Sequence, residues 1–97
     1  MSPRLTAKES VVEKKVSEWA RKREVLVWKL NVSGRRGLPD RLFIFPSGRI
    51  VFIEFKRQGE RPRKMQLYIH QKLRDRNVPI IVGDHYDTIV DELVKFC

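Results

Sequence analysis

Two apolar runs, Arg41–Phe45 and Arg49–Phe55, flank Pro46-Ser47-Gly48, and no other stretch restricts the fold of this chain so tightly. Proline presets the first turn position and glycine takes the left-handed one, as in a three-residue hairpin loop. With that loop the register pairs Phe45 with Arg49, sets Leu42 opposite Phe52 and brings Asp40 opposite Glu54. The two carboxylates then become cross-strand neighbours, with Cβ atoms roughly 5 Å apart. Side chains alternate along a strand, so Phe52, Glu54 and Lys56 share one face while Val51, Ile53 and Phe55 share the other. An otherwise apolar strand therefore points an acid and a base the same way. Charges so placed need pairing, hydrogen bonds or a metal. Two adjacent acids also repel, raising one pKa, unless a cation lies between them. A hard divalent ion with oxygen ligands, Mg²⁺ or Mn²⁺, suits that arrangement. The plainer alternative is a Glu54–Lys56 pair at a fraying strand end, with Asp40 closing a turn after Pro39; Gly37-Leu38-Pro39-Asp40 at hairpin spacing weighs against it.

The order Gly37-Leu38-Pro39-Asp40, then Glu54-Phe55-Lys56, then Gln66 on a following helix resembles the PD-(D/E)XK nuclease superfamily and, within it, the VRR-NUC family. The likeness runs over nearly the whole chain, read as a single domain over residues 1–97, of the minimal stand-alone type that phages encode. It implies an α/β fold with the restriction-endonuclease-like core, a mixed central β-sheet flanked by α-helices. It further implies that Asp40, Glu54, the carbonyl of Phe55 and an acid on the first helix hold one or two Mg²⁺ or Mn²⁺ ions. Lys56 would orient the attacking water or offset charge on the phosphorane, and Gln66 would reach into the site. The implied reaction is phosphodiester hydrolysis leaving a 5′-phosphate. Stand-alone members resemble Holliday-junction resolvases, which act as homodimers on branched DNA.

At 97 residues and 41% hydrophobic content, the chain has room for one domain with a modest core. Its 21 basic and 12 acidic residues leave a formal charge of +9, which calls for a polyanionic partner, nucleic acid ahead of an anionic surface. No apolar run approaches the roughly 20 residues of a membrane span, and the N-terminus lacks the apolar core of a secretory signal. The expected location is the cytoplasm of the host cell, with no membrane partner. Cys97 is a lone cysteine, and His70 and His85 are far apart, so neither an internal disulfide nor a zinc-spaced cluster is expected. No small-molecule cofactor is expected either.

Thr6-Ala7-Lys8-Glu9 has the form of a capping box that starts a first helix. Val12, Val16, Trp19, Ala20 and Arg23 recur at helical spacing and predict its inward stripe, with Lys14, Lys15, Arg21 and Lys22 in water. Glu13, at the edge of that stripe, is the preferred helical acid for the site. Glu9 competes with it but already has a role as the third residue after the Thr6 cap. Val25–Leu30 reads as a strand. Two basic loops follow from the sequence: Asn31–Gly37 with Arg35 and Arg36, and Arg57–Lys64 with Arg57, Arg61, Arg63 and Lys64. Both are candidate contacts to a phosphate backbone.

A second helix spans Arg63–Arg76, with Met65, Ile69, Lys72 and Leu73 at helical intervals, Gln66 near its start, and Tyr68 and His70 as further candidates for DNA contact. Asn77-Val78-Pro79 ends it, and Ile80–Val82 reads as a short buried strand parallel to the second hairpin strand. Asp84 is expected to cap a last helix to about Phe96, with Ile89, Val90, Leu93 and Val94 inward. The functional expectation is a metal-dependent, structure-selective DNA endonuclease. A duplex nicking or restriction-type nuclease is the nearest alternative. The non-enzymatic alternative is a small basic nucleic-acid-binding protein whose acids are structural.

Overall fold

A computed structural model describes residues 9–30 and 36–97, in the order α1 (Glu9–Arg21), β1 (Leu26–Lys29), β2 (Arg41–Ile44), β3 (Ile50–Phe55), α2 (Lys64–Asp75), β4 (Ile80–Gly83) and α3 (Tyr86–Leu93). A 3-10 turn at Val94–Phe96 follows. The Thr6 capping box, Arg35 and most of the loop that carries it lie outside the described residues.

The hairpin follows from its turn. Gly48, at φ +91°, donates its N–H to the Phe45 carbonyl at 2.8 Å, and Phe45 N–H reaches the Arg49 carbonyl at 2.9 Å. That closure sets Leu42 opposite Phe52 and Phe43 opposite Val51. β1 adds to β2 antiparallel and β4 joins β3 parallel, giving the strand order β1-β2-β3-β4. A parallel neighbour needs a crossover, and α2 supplies it. The expected mixed sheet flanked by helices is the observed architecture.

Alternation sends Phe43, Val51, Ile53 and Phe55 to one face, where Val16, Trp19 and Ala20 of α1 and Ile89 and Leu93 of α3 cover them. Each such side chain contributes roughly 1.5–3 kcal/mol when fully buried, so this layer fixes the position of β3. The opposite face carries Leu42, Phe52, Glu54 and Lys56, with α2 over the end near β4. Beyond the reach of α2, Leu26 and Trp28 of β1 stay open, each 53% exposed.

Four details depart from the expected pattern. Arg23 lies past the end of α1 and is exposed, its guanidinium 4.2 Å over the Trp19 ring and bonded to the Trp19 carbonyl at 3.0 Å. The inner stripe of α2 is Gln66, Ile69, His70 and Leu73, leaving Met65 exposed. Asp84 does not cap α3, whose N-cap position is His85; its carboxylate accepts from Gly59 N–H at 3.2 Å and pairs with His85 Nδ1 at 2.8 Å. After Leu93 the chain tightens into the 3-10 turn, which exposes Val94 and brings Phe96 within 5.9 Å of the Phe45 ring. No helix among the described residues is long and apolar enough to cross a membrane.

Candidate active site

β3 ends in Glu54-Phe55, with Lys56 directly after it, and the strand's alternation carries Glu54 and Lys56 under α2 rather than out to water. Glu54 is 2% exposed and Lys56 7%. Asp40 sits at the bend before β2, one register step beyond the Arg41–Ile53 pair and so across from Glu54. Its Oδ2 accepts the backbone N–H of Phe55 at 2.8 Å, which locks the acid to the end of β3.

Gly37 lets this segment approach α2. It has φ +82°, and a Cβ there would stand 2.6 Å from Met65 Cγ and 2.7 Å from the Met65 carbonyl oxygen. Any side chain would push the segment off the first turn of the helix.

Gln66 ties α2 to β3. As the third residue of the helix, it accepts the backbone N–H of Arg63 on Oε1 at 2.9 Å, the second half of a capping box. The same oxygen accepts a hydrogen bond from Lys56 Nζ at 2.6 Å, and Nε2 donates to Glu54 Oε2 at 2.9 Å. Lys56 Nζ stands 3.8 Å from Glu54 Oε2. Asp40, Glu54, Lys56 and Gln66 are therefore brought together.

Burial, and after it the charge of Asp40, pushes the Glu54 carboxyl up to about 8; Lys56 opposes the shift, while a hydrogen bond with Asp40 and the charge of Glu9 add to it. A carboxyl pair that retains a proton at neutral pH is short of positive charge, and a divalent cation meets that shortage. The donors are hard oxygens, and among the described residues no group of three or more His, Cys, Asp or Glu stands ready as a closed cage. Two carboxylates with open positions fit Mg²⁺ or Mn²⁺, which keep several waters.

Glu13 is placed differently from the sequence expectation. Its Oε2 lies 2.8 Å from the Arg41 guanidinium, which also donates to the Asp40 carbonyl at 3.1 Å. Arg41 pairs with Ile53 and so points to the α1 side of the sheet, and Glu13 follows it there. It is the charge of Glu9, one turn earlier, that bears on Glu54. Phe55 is seen to contribute its N–H to Asp40.

Arg36, Arg57, Arg61, Arg63 and Lys64 are all exposed, and Arg36, Gly37, Arg63, Met65 and Gln66 line a cleft of about 540 Å³. Tyr68 is exposed as well, but His70 is 1% exposed and cannot touch DNA. His70 instead points at the site, with Nε2 3.9 Å from Glu54 Oε1. The signal for this was its place in the stripe Gln66, Ile69, His70 and Leu73, in which each residue lies three or four positions from another on the same helix face.

No family model matches the chain. A protein of Acyrthosiphon pisum secondary endosymbiont phage 1, named "Putative nuclease p44", is 40% identical over 84 residues, which span 87% of this chain and 89% of that protein. A solved structure described as a VRR_NUC domain aligns with a TM-score of 0.82 at 35% identity, covering 90% of this chain and 94% of the other.

Proposed function

Because this chain belongs to the VRR-NUC family of nucleases, we propose that it is a Mg²⁺- or Mn²⁺-dependent endonuclease that cuts branched DNA, four-way junctions foremost, as a homodimer. The observation that carries the reading is the Asp40–Glu54 pair at the end of β3, in which burial of Glu54 and the charge of Asp40 push the Glu54 carboxyl up to about 8.

Asp40, Glu54 and the carbonyl of Phe55 would hold the ion. When bound, it supplies Lewis-acid chemistry, polarising the scissile phosphate and lowering the pKa of a bound water. Lys56, anchored by Gln66, keeps its ammonium beside the carboxylates, where it orients that water and offsets charge on the phosphorane. Gln66 fixes the geometry by bonding Lys56 and Glu54 at once. Of the two helical acids, Glu9 is the better placed for a water-mediated contact, since its charge reaches Glu54 while Glu13 neutralises Arg41.

Exposed arginines beside the cleft supply contacts to phosphate, which position DNA without reading its sequence. A branched substrate, recognised by backbone and shape, suits that surface. A four-way junction offers two symmetric strands, and a two-fold dimer presents two sites to them. The open face around Leu26 and Trp28 supports association with a second copy.

The test incubates purified protein with a labelled four-way junction, a flap and a linear duplex, in Mg²⁺, in Mn²⁺ and in EDTA. Metal-dependent cutting of the junction ahead of the duplex is expected. Equal cutting of all three points to a duplex nuclease, and no metal-dependent cutting of any defeats the proposal. Light scattering of the free protein checks the dimer.

A further inference from the structure

We propose that His70 is a positioning residue for Glu54: its Nε2–H holds Glu54 Oε1 by a hydrogen bond, so that the carboxylate keeps one orientation while it serves a divalent cation. The inference rests on the metal-nuclease reading above and extends it to a residue outside the Asp, Glu, Lys and Gln set.

Three observations carry it. His70 is the one buried residue of α2, a helix whose other side chains are exposed or only partly covered. Among the described residues, Glu54 Oε1 and His70 Nε2 are buried side-chain atoms without a hydrogen-bond partner, and they face each other at 3.9 Å. Glu54 Oε2 already accepts from Gln66 at 2.9 Å, so Oε1 is the oxygen left to be held.

Gln66 and His70 are four residues apart on one helix face, and together they bracket the two oxygens of one carboxylate. Closing the gap from 3.9 Å to hydrogen-bond length takes about 1 Å, within the range of a small side-chain adjustment. Burial, with the charges of Arg74 and Lys56, lowers the pKa of the His70 imidazole from its ordinary value. A neutral imidazole carries one N–H, and the partner chooses which nitrogen bears it. A carboxylate that has given up its proton accepts only, so the proton belongs on Nε2. Outer donors of this kind commonly govern metal affinity by 10–100-fold, through the orientation of the ligand they hold.

The first test uses the wild-type protein. Its two histidines are labelled with ¹⁵N, and His85→Gln assigns the exposed one. The expected result is a His70 imidazole protonated at Nε2 in saturating Mg²⁺, with its resonances moving as Mg²⁺ is added. A proton on Nδ1, or a His70 signal that ignores Mg²⁺ while the protein binds it, overturns the proposal. The second test measures Mn²⁺ affinity by calorimetry. His70→Leu fills the space without a donor and should weaken Mn²⁺ about 10–100-fold, with cleavage recovering as Mn²⁺ is raised and KM for DNA unchanged. His70→Gln restores a donor and should return affinity to within a few-fold. A folded His70→Leu with wild-type Mn²⁺ affinity refutes the role. If the leucine variant fails to fold, the glutamine variant and the wild-type spectra decide. Wild-type protein that binds neither ion defeats the metal reading itself, an outcome distinct from the failure of His70 alone.

Discussion

Raising the pH from 5 to 8 in EDTA should destabilise this protein, and Glu54 should be the main reason. In the unfolded chain its proton leaves near 4.5, whereas in the folded chain burial and Asp40 keep it to about pH 8. Below 4.5 both states hold the proton, and its contribution to stability is complete. As pH rises towards 8 the unfolded chain releases the proton while the folded chain cannot, so stability falls by up to 1.36 kcal/mol per unit, with a ceiling of about 5 kcal/mol over the full interval. Reorientation of Lys56 and entry of water reduce that ceiling. Even a third of it lowers the melting temperature of a domain this size by roughly 6–12 °C.

The assay is thermal melting of wild type and Glu54→Gln at half-unit pH steps, in EDTA and in Mn²⁺. Glutamine stays neutral throughout, so the difference between the two proteins isolates this carboxyl from other titrating groups. In EDTA the wild type should lose stability relative to Glu54→Gln as pH rises. In Mn²⁺ the slope should flatten or reverse, because the ion displaces the proton and binds more tightly at higher pH. Parallel curves for the two proteins in EDTA would refute both the raised pKa and the shortage of positive charge inferred from it.

Asp40→Asn and Lys56→Ala should each reduce single-turnover cleavage by at least about 100-fold while DNA binding, read by gel shift, stays within a few-fold, because neither side chain lies on the exposed basic surface. The double variant Arg36→Ala with Arg63→Ala should weaken binding and lower the slope of log K against log salt by up to about 2, with cleavage at saturating DNA little changed. Gly37→Ala should cost about 2 kcal/mol or more, from the positive φ and the 2.7 Å approach to the Met65 carbonyl, and calorimetric melting measures it. Glu9→Gln should weaken Mn²⁺ binding where Glu13→Gln leaves it near wild type, and the reverse ranking would return the helical acid to Glu13.

The hairpin is legible in the sequence because its determinants are local. Pro46-Ser47-Gly48 fixes the loop, the loop fixes the register, and the register carries Asp40 to Glu54 without reference to the rest of the molecule. The helical acid is not legible in this way. Glu9 and Glu13 are one turn apart and face similar directions, so the choice depends on how far along α1 the sheet ends, which is a matter of tertiary packing. The inner face of α2 is hidden for a different reason. Two of its four inward residues, Gln66 and His70, are polar, so a search for apolar periodicity settles on Met65 one position away and misses the stripe. At the C-terminus the helical pattern runs through Val94, but the switch to a 3-10 turn rotates that residue outward in favour of Phe96.

Small size explains why structural and candidate functional roles fall on the same atoms. Gln66 Oε1 closes the N-terminus of α2 and anchors Lys56 in the same stroke, and Asp40 Oδ2 secures Phe55 while its carboxylate faces Glu54. Each of these bonds stabilises the fold and aims a group at the site, so the polar side chains under α2 are held by the protein before any substrate arrives. Groups aligned in advance need little reorganisation when charge develops. The arrangement also predicts where tolerance ends: changes on the open face at Leu26 or Trp28 leave this network untouched, whereas replacement of Gln66 both uncaps α2 and frees Lys56, and should lower stability and cleavage together.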